Sequence, residues 1–173
     1  MLTTSRLLLR QWRDDDLDDW AALNADPSVR EFFDGVLTRP EALGSMTHFR
    51  DEVASRGWGW WAIEVRETGR LAGMAGLDPV DEEVPFDGVE IGWRLARWAW
   101  GRGYATEAAR AVAEYAFETL RLPEILAIAA VGNVRSHAVM TKLGMVFDQE
   151  FDNMTEPPAI RRSVLYRLPA PRP

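Results

Sequence analysis

The chain has 173 residues, 47% of them hydrophobic and 27% charged, a composition that supports a buried core and argues against disorder. It contains no cysteine and only two histidines, His48 and His137, which excludes disulfides, thiolate nucleophiles and the usual zinc sites, so no metal is expected. A formal net charge of −7 argues against a nucleic-acid partner, and suits either a cationic small molecule or plain solubility. No apolar stretch approaches the ~20 residues of a membrane span, and the N-terminal residues lack a signal-peptide pattern, so no membrane partner and a cytoplasmic location are expected.

Residues 7–12, LLLRQW, read as an opening strand. Asp14 or Asp15 can cap a helix running to about Ala25, where Pro27 stops it, and residues 29–33 add a short helical turn. Thr38-Arg39-Pro40-Glu41 is a capping-box pattern with proline in the first turn, so a second helix is expected to about Arg56, ended by Gly57. Two apolar segments, residues 59–66 and 70–78, flank Glu67-Thr68-Gly69 and predict a β-hairpin. A proline- and acid-rich loop, residues 79–88, leads to a strand over residues 89–95. A glycine-rich turn then opens a long helix to about Leu120, whose buried stripe is Ala105, Ala108, Ala109, Val112, Ala116 and Leu120. Residues 125–131 form a continuously apolar run expected as an interior strand. Asn133 begins a further helix that stops at Gly144, and strands over residues 145–151 and 161–168 close the sheet, leaving a loose Pro-Ala-Pro tail. The order defines an α/β fold in one domain spanning residues 1–173, with its core at about 4–168.

The stretch EIGWRLARWAWGRGYATEA, residues 90–108, is the most informative. A glycine turn at a helix start leaves main-chain N–H groups unpaired, and with the helix dipole these favour a phosphate or pyrophosphate. Arg102 adds a positive charge between Gly101 and Gly103, where the missing side chains let the backbone approach an anion. The run lacks the lysine and spacing of a P-loop, and Thr106 stands where a dinucleotide fingerprint requires a third glycine.

The turn resembles the pyrophosphate-binding motif of the GNAT acyltransferases, Q/R-x-x-G-x-G/A, with Trp100 at the Gln/Arg position, Gly103 as the first glycine and Ala105 as the small residue. The Trp departs from the general pattern and is similar to the WGxGYATEA variant of the RimJ/RimL-type branch. GRLAGMAGL (residues 69–77), NVRSHAVMTKLGM (residues 133–145) and VLYRL (residues 164–168) extend the resemblance. It implies the GNAT fold, a mixed sheet of about seven strands flanked by helices. It also implies acetyl-CoA as cosubstrate, an amine-bearing small molecule or protein N-terminus as acceptor, and an assembly that extends to a homodimer. The cofactor would lie along the main chain of Ile91, Trp93 and Leu95, on the turn Gly101, Arg102, Gly103, Tyr104, Ala105 and Thr106, and against Asn133, which is also the ordinary N-cap of its helix.

An alkyl amine is protonated at neutral pH and must lose a proton before it attacks a thioester. The resemblance makes Glu90 the base, although Glu90 and Arg94 share a strand face and pairing is the alternative. Ser136, on one helical face with Met140 and Leu143, is the candidate proton donor to the CoA thiolate, with a local backbone hydrogen bond as the alternative and Tyr166 as a weaker candidate. His137 points about 100° away from Ser136 on the helix and reads as surface or cleft rim. Tyr104 reads as turn packing, and the acids between Asp78 and Asp87 read as a solvated loop, with attraction of a positively charged acceptor as the alternative. Six of the eight tryptophans fall between Trp58 and Trp100; they are read mainly as packing, with cleft lining as the alternative. Residues 14–56 and 151–160 are expected to set acceptor choice. A catalytically silent acyl-CoA-binding module and a nucleotide-binding protein remain as rival readings.

Overall fold

Pro at the first turn, Glu three residues after Thr38, and Gly57 in the left-handed region give α2 (Arg39–Arg56) both of its ends. Thr38 and Glu41 exchange the two hydrogen bonds of a capping box. A computed structural model describes residues 1–171, in which an eight-stranded sheet carries helices on both faces. In chain order β1 (Leu2–Thr3), β2 (Leu7–Arg10), α1 (Leu17–Asn24), α2, β3 (Trp60–Val65), β4 (Leu71–Pro79), β5 (Val89–Leu95), α3 (Tyr104–Glu118), β6 (Glu124–Ala130), α4 (Val134–Leu143), β7 (Val146–Asp152) and β8 (Arg162–Pro169) follow one another. The strands lie in the order β1-β2-β3-β4-β5-β6-β8-β7. Only β5 and β6 run parallel, the other pairs being antiparallel. The eighth strand, beyond the expected seven, is the two-residue β1, which pairs Leu2 with Leu9 and Thr3 with Leu8.

The single parallel pair is also the weakest joint. β4 and β5 stay in register from Gly73↔Leu95 to Pro79↔Val89, whereas β5 and β6 share only Glu90↔Leu126 before they part. The Ala96 N–H donates to the Ala72 carbonyl, so in this antiparallel register Glu90, Gly92 and Arg94 direct their main-chain groups to β4. The main-chain groups of Ile91, Trp93 and Leu95 therefore face the opening toward β6.

The α3 face buries Ala108, Ala109, Val112, Ala113 and Ala116 against Leu7, Leu9, Trp61, Ile91 and Leu95. Small residues on the helix let it lie close to the sheet, and each fully buried Leu or Ile beneath it contributes about 1.5–3 kcal/mol. Leu120 lies beyond the end of α3. On the opposite face Trp12, Trp20, Met46, Ala62 and Met74 form a second cluster under α1 and α2.

Three local expectations differ from the structure. Asp14 and Asp15 do not cap α1; they belong to a 3-10 turn, Asp14–Asp16, that precedes it. Asp16 is drawn inward instead, accepting two hydrogen bonds at 2.7 Å from the buried Arg10 guanidinium and one from the Arg13 N–H. Residues 29–33 are hydrogen-bonded turns rather than helix, and Pro169 ends β8 while the Ala170 N–H donates to the Pro123 carbonyl, so that part of the tail is tied down. Arg172 and Pro173 lie outside the described residues. No helix is long and apolar enough to cross a membrane among the described residues.

Candidate active site

Two glycines with positive φ, Gly101 at 72° and Gly103 at 80°, turn the chain from β5 into α3. Gly103 is the N-cap and offers no side chain, so the N–H groups of Gly103, Tyr104, Ala105 and Thr106 bond to no acceptor among the described residues. They form a four-donor anion site at the positive end of α3. Arg102 is turned aside: its Nε donates to the Trp98 carbonyl, and it does not line the cleft. Arg6 braces the turn from outside, donating from Nη1 to the Arg102 carbonyl and stacking 4.8 Å above the buried Tyr104 ring. Glu107, one turn into α3, accepts from Thr4 Oγ1, Ser5 Oγ and the Arg6 N–H.

From this turn a cleft of about 530 Å³ follows the parting of β5 and β6 across the sheet. Ile91, Trp93 and Leu95 all line it. The Leu95 carbonyl is already taken by the Trp100 indole N–H at 2.8 Å. Asn133 caps α4 by accepting the Ser136 N–H at 3.2 Å, and both residues face the cleft. The Ser136 hydroxyl makes no hydrogen bond among the described residues, so it is free to donate into the cleft. Tyr166 is not in the cleft wall; its ring stacks on His137 at 6.2 Å, and His137 in turn sits 3.2 Å from the Ala130 carbonyl. His48 lies on the exposed side of α2, 3.5 Å from Glu52.

Glu90 stands where the strands part. Burial pushes its carboxyl up to about 8, the charges of Asp81, Asp78 and Glu156 push the same way, and the Ile128 main-chain N–H opposes them. Asp78 is its direct cross-strand neighbour on β4. Glu90 does not pair with Arg94. Residues four apart on a strand lie about 13 Å apart along it, and between them the Trp60 ring covers Gly92, where an added Cβ would meet it at 2.9 Å. Arg94 instead lies over Phe33 at 4.1 Å and donates from Nη1 to Asn24 Oδ1. Burial, and then the like charge of Arg30, lower its pKa to about 9.

The acid loop is only partly solvated. Asp81, Glu82, Glu83 and Asp87 are exposed, Asp81 at the cleft, but Asp78 accepts hydrogen bonds from Arg56 and the Trp60 indole. The segments expected to set acceptor choice do reach the cleft: Val29, Phe32 and Phe33 before α2, and Asn153, Thr155, Glu156 and Ile160 before β8. Trp60 takes the cleft-lining alternative, whereas sequence reasoning missed Arg94 as a cleft wall, and Arg135, which bridges α4 to Glu31 and covers the Trp100 ring at 4.5 Å. The alternation Glu90, Gly92, Arg94 on one strand face was the available signal for Arg94.

The fold is that of an acetyltransferase. Residues 6–146 match the family described as acetyltransferase (GNAT) domain, so the chain belongs to the GNAT family of N-acetyltransferases. It is 30% identical to the uncharacterized Bacillus subtilis proteins YkkB, over 92% of each chain, and YnaD, named as an N-acetyltransferase, over 83% of this chain and 81% of that one. It is 34% identical to the FsC-acetyl coenzyme A-N(2)-transacetylase of Aspergillus fumigatus, over 80% of this chain and 62% of that one. Among solved structures, a GNAT acetyltransferase from Bacillus anthracis superposes with a TM-score of 0.83 at 22% identity, each chain covered to 97%. Spermidine N-acetyltransferase from Vibrio cholerae, in complex with CoA and spermine, superposes at 0.75 with 17% identity, covering 96% of each chain.

Proposed function

We propose that the protein moves the acetyl group of acetyl-CoA directly to a primary amine, as RimJ/RimL-type enzymes do, without an acyl-enzyme. The observation that carries this reading is the half-buried Glu90 carboxyl at the parting of β5 and β6, in one cleft with the four-donor turn. In this reading the pyrophosphate sits on the N–H groups of Gly103, Tyr104, Ala105 and Thr106, with Gly101 leaving room beside them. The pantetheine arm runs along the main chain of Ile91, Trp93 and Leu95 and touches Asn133. Arg102 contributes charge from the rim.

Glu90 takes the proton from the acceptor ammonium, and the freed nitrogen attacks the thioester carbonyl carbon. A β5 main-chain N–H stabilises the oxyanion, because a fixed donor in a dry cleft needs no reorganisation. The C–S bond then breaks, the Ser136 hydroxyl gives its proton to the thiolate, and the second proton shed by the nitrogen as it becomes an amide restores that hydroxyl. A carboxyl at about 8 is well matched to an α-amino group, whose ordinary pKa is about 8, so the proton passes between near-equal partners. The acceptor belongs among protein N-termini, polyamines and small amine metabolites or antibiotics, with residues 1–173 acting as one catalytic domain in the cytoplasm.

Melting temperature with acetyl-CoA, against ATP and NAD, tests the donor. At about 100 times its dissociation constant the ligand adds roughly 2.7 kcal/mol, several degrees for a chain of this size. An equal shift with ATP or NAD would defeat the donor assignment. Amine-dependent release of CoA, rising with pH through about 8 and abolished in Glu90→Gln, tests the chemistry. Acetyl-CoA binding without such release would leave a silent acyl-CoA-binding module.

A further inference from the structure

We propose that Arg94 is an anion-binding subsite at the acceptor end of the cleft, and that the natural acceptor is an amine that also carries a carboxylate. The proposal rests on the acetyltransferase reading of the cleft and narrows its substrate.

Arg94 is a cation without a counter-charge. It forms no salt bridge among the described residues, and its one hydrogen bond, from Nη1 to Asn24 Oδ1 at 3.0 Å, goes to a neutral amide. Its Nε is enclosed with no acceptor, and its Nη2 makes no hydrogen bond. Its surroundings are aromatic, with Phe33 at 4.1 Å and Trp20 at 5.7 Å, and the charge that acts on it is that of another cation, Arg30. The chain has 27 acidic residues and a net charge of −7, so anions are not scarce. By contrast Arg10, which is buried, is met by both Asp16 and Glu64. A charge set into an apolar wall without a partner is unfavourable, and a ligand anion offsets that cost on binding.

The remaining donor points to the ligand's charge. With Nη1 committed to Asn24 and Nε enclosed, Nη2 is left to donate to an anion that enters the cleft, and a carboxylate supplies the missing counter-charge. About 13 Å further along β5 the same cleft carries Glu90, with Asp81 near it, and these suit an ammonium. Between them Gly92 and the Trp60 ring give an apolar floor. The cleft is thus charged in two senses: ammonium at Glu90, carboxylate at Arg94, and a spacer lying on Trp60.

The test uses the full chain with acetyl-CoA and matched pairs of primary amines: α- and ω-amino acids and dipeptides, each against its carboxamide. The acid of the best pair is expected to exceed its carboxamide by about 10- to 100-fold in kcat/KM, expressed mainly in KM. Arg94→Gln should collapse that preference to about onefold, and Arg94→Lys should keep an intermediate one, since it retains the charge and loses the fixed Nη2 donor. The acetyl-CoA melting shift of each variant checks that it folds, and Arg94→Lys decides the matter if Arg94→Gln does not. Calorimetric titration of the N-acetylated acids and carboxamides into the CoA-bound protein reads the same subsite without turnover. Equal handling of acids and carboxamides, or a preference that survives in Arg94→Gln, would overturn the subsite. Absence of CoA release with every amine, alongside acid-selective product binding, would instead overturn the acetyltransferase reading and leave the subsite standing.

Discussion

Replacing Glu90 by glutamine should make the protein more stable, and only at high pH. The carboxamide is neutral at every pH and can still accept the Ile128 N–H. The native carboxyl ionises at about 8 when folded, against an ordinary value of 4.5. Between those values the unfolded chain has lost its Glu90 proton while the folded chain keeps it, so the folded state binds more protons and stability falls as pH rises. The loss begins near pH 4.5 and is complete above about pH 8. Taken at full strength the displacement corresponds to about 5 kcal/mol, and the opening of the cleft to water reduces this to about 2–4 kcal/mol. For a chain of this size that is roughly 5–15 °C in Tm. Thermal melts of the native protein and of Glu90→Gln from pH 5 to 9.5 measure it: nearly coincident Tm values at pH 5, diverging to a plateau above pH 8. A difference that stays constant across that range would refute the claim that burial and the neighbouring acids hold the proton on Glu90.

Three further outcomes follow from the contacts described. Asp16→Ala leaves the Arg10 guanidinium with Glu64 alone in an interior setting, and should lower the urea-unfolding free energy by about 3 kcal/mol; a loss under 1 kcal/mol would mean the pair is effectively solvated. Gly76→Ala places a Cβ 2.0 Å from the Gly59 carbonyl oxygen, so β3 and β4 must separate at a cost on the order of 3 kcal/mol, read as a fall in Tm; an unchanged Tm would show that the strands can give there. Ser136→Ala should reduce kcat by up to about 100-fold with KM for acetyl-CoA little changed, the low end for a lost general acid; an unchanged kcat would pass the protonation step to water.

The elements that could be read from the sequence are those whose local chemistry is also their tertiary role. Thr38 and Glu41 cap α2, Gly57 and Gly144 end helices in the left-handed region, and the alanine stripe of α3 does face the core. Reading failed where a distant partner prevailed over a neighbour. Asp16, not Asp14 or Asp15, organises the start of α1, because Arg10 on β2 draws it inward. Asp78 looked like part of a solvated loop and is held by Arg56, twenty-two residues away. The donor end of the site was legible because its residues are consecutive. Arg94 was not legible as a cleft wall: it meets Phe33, Trp60 and Glu156 around the cleft from separate segments, and no local pattern joins them.

The bracing of the donor turn by Thr4, Ser5 and Arg6 ties ligand competence to the order in which the protein is made. Arg6 meets the Arg102 carbonyl across 96 residues and Glu107 across 101. At about 5–20 residues per second of synthesis, Arg6 waits roughly 5–20 s for its partners to emerge. Closing so long a loop comes late in folding. The turn therefore gains its support only once the chain has been made through Glu107, with five of the eight strands already behind it.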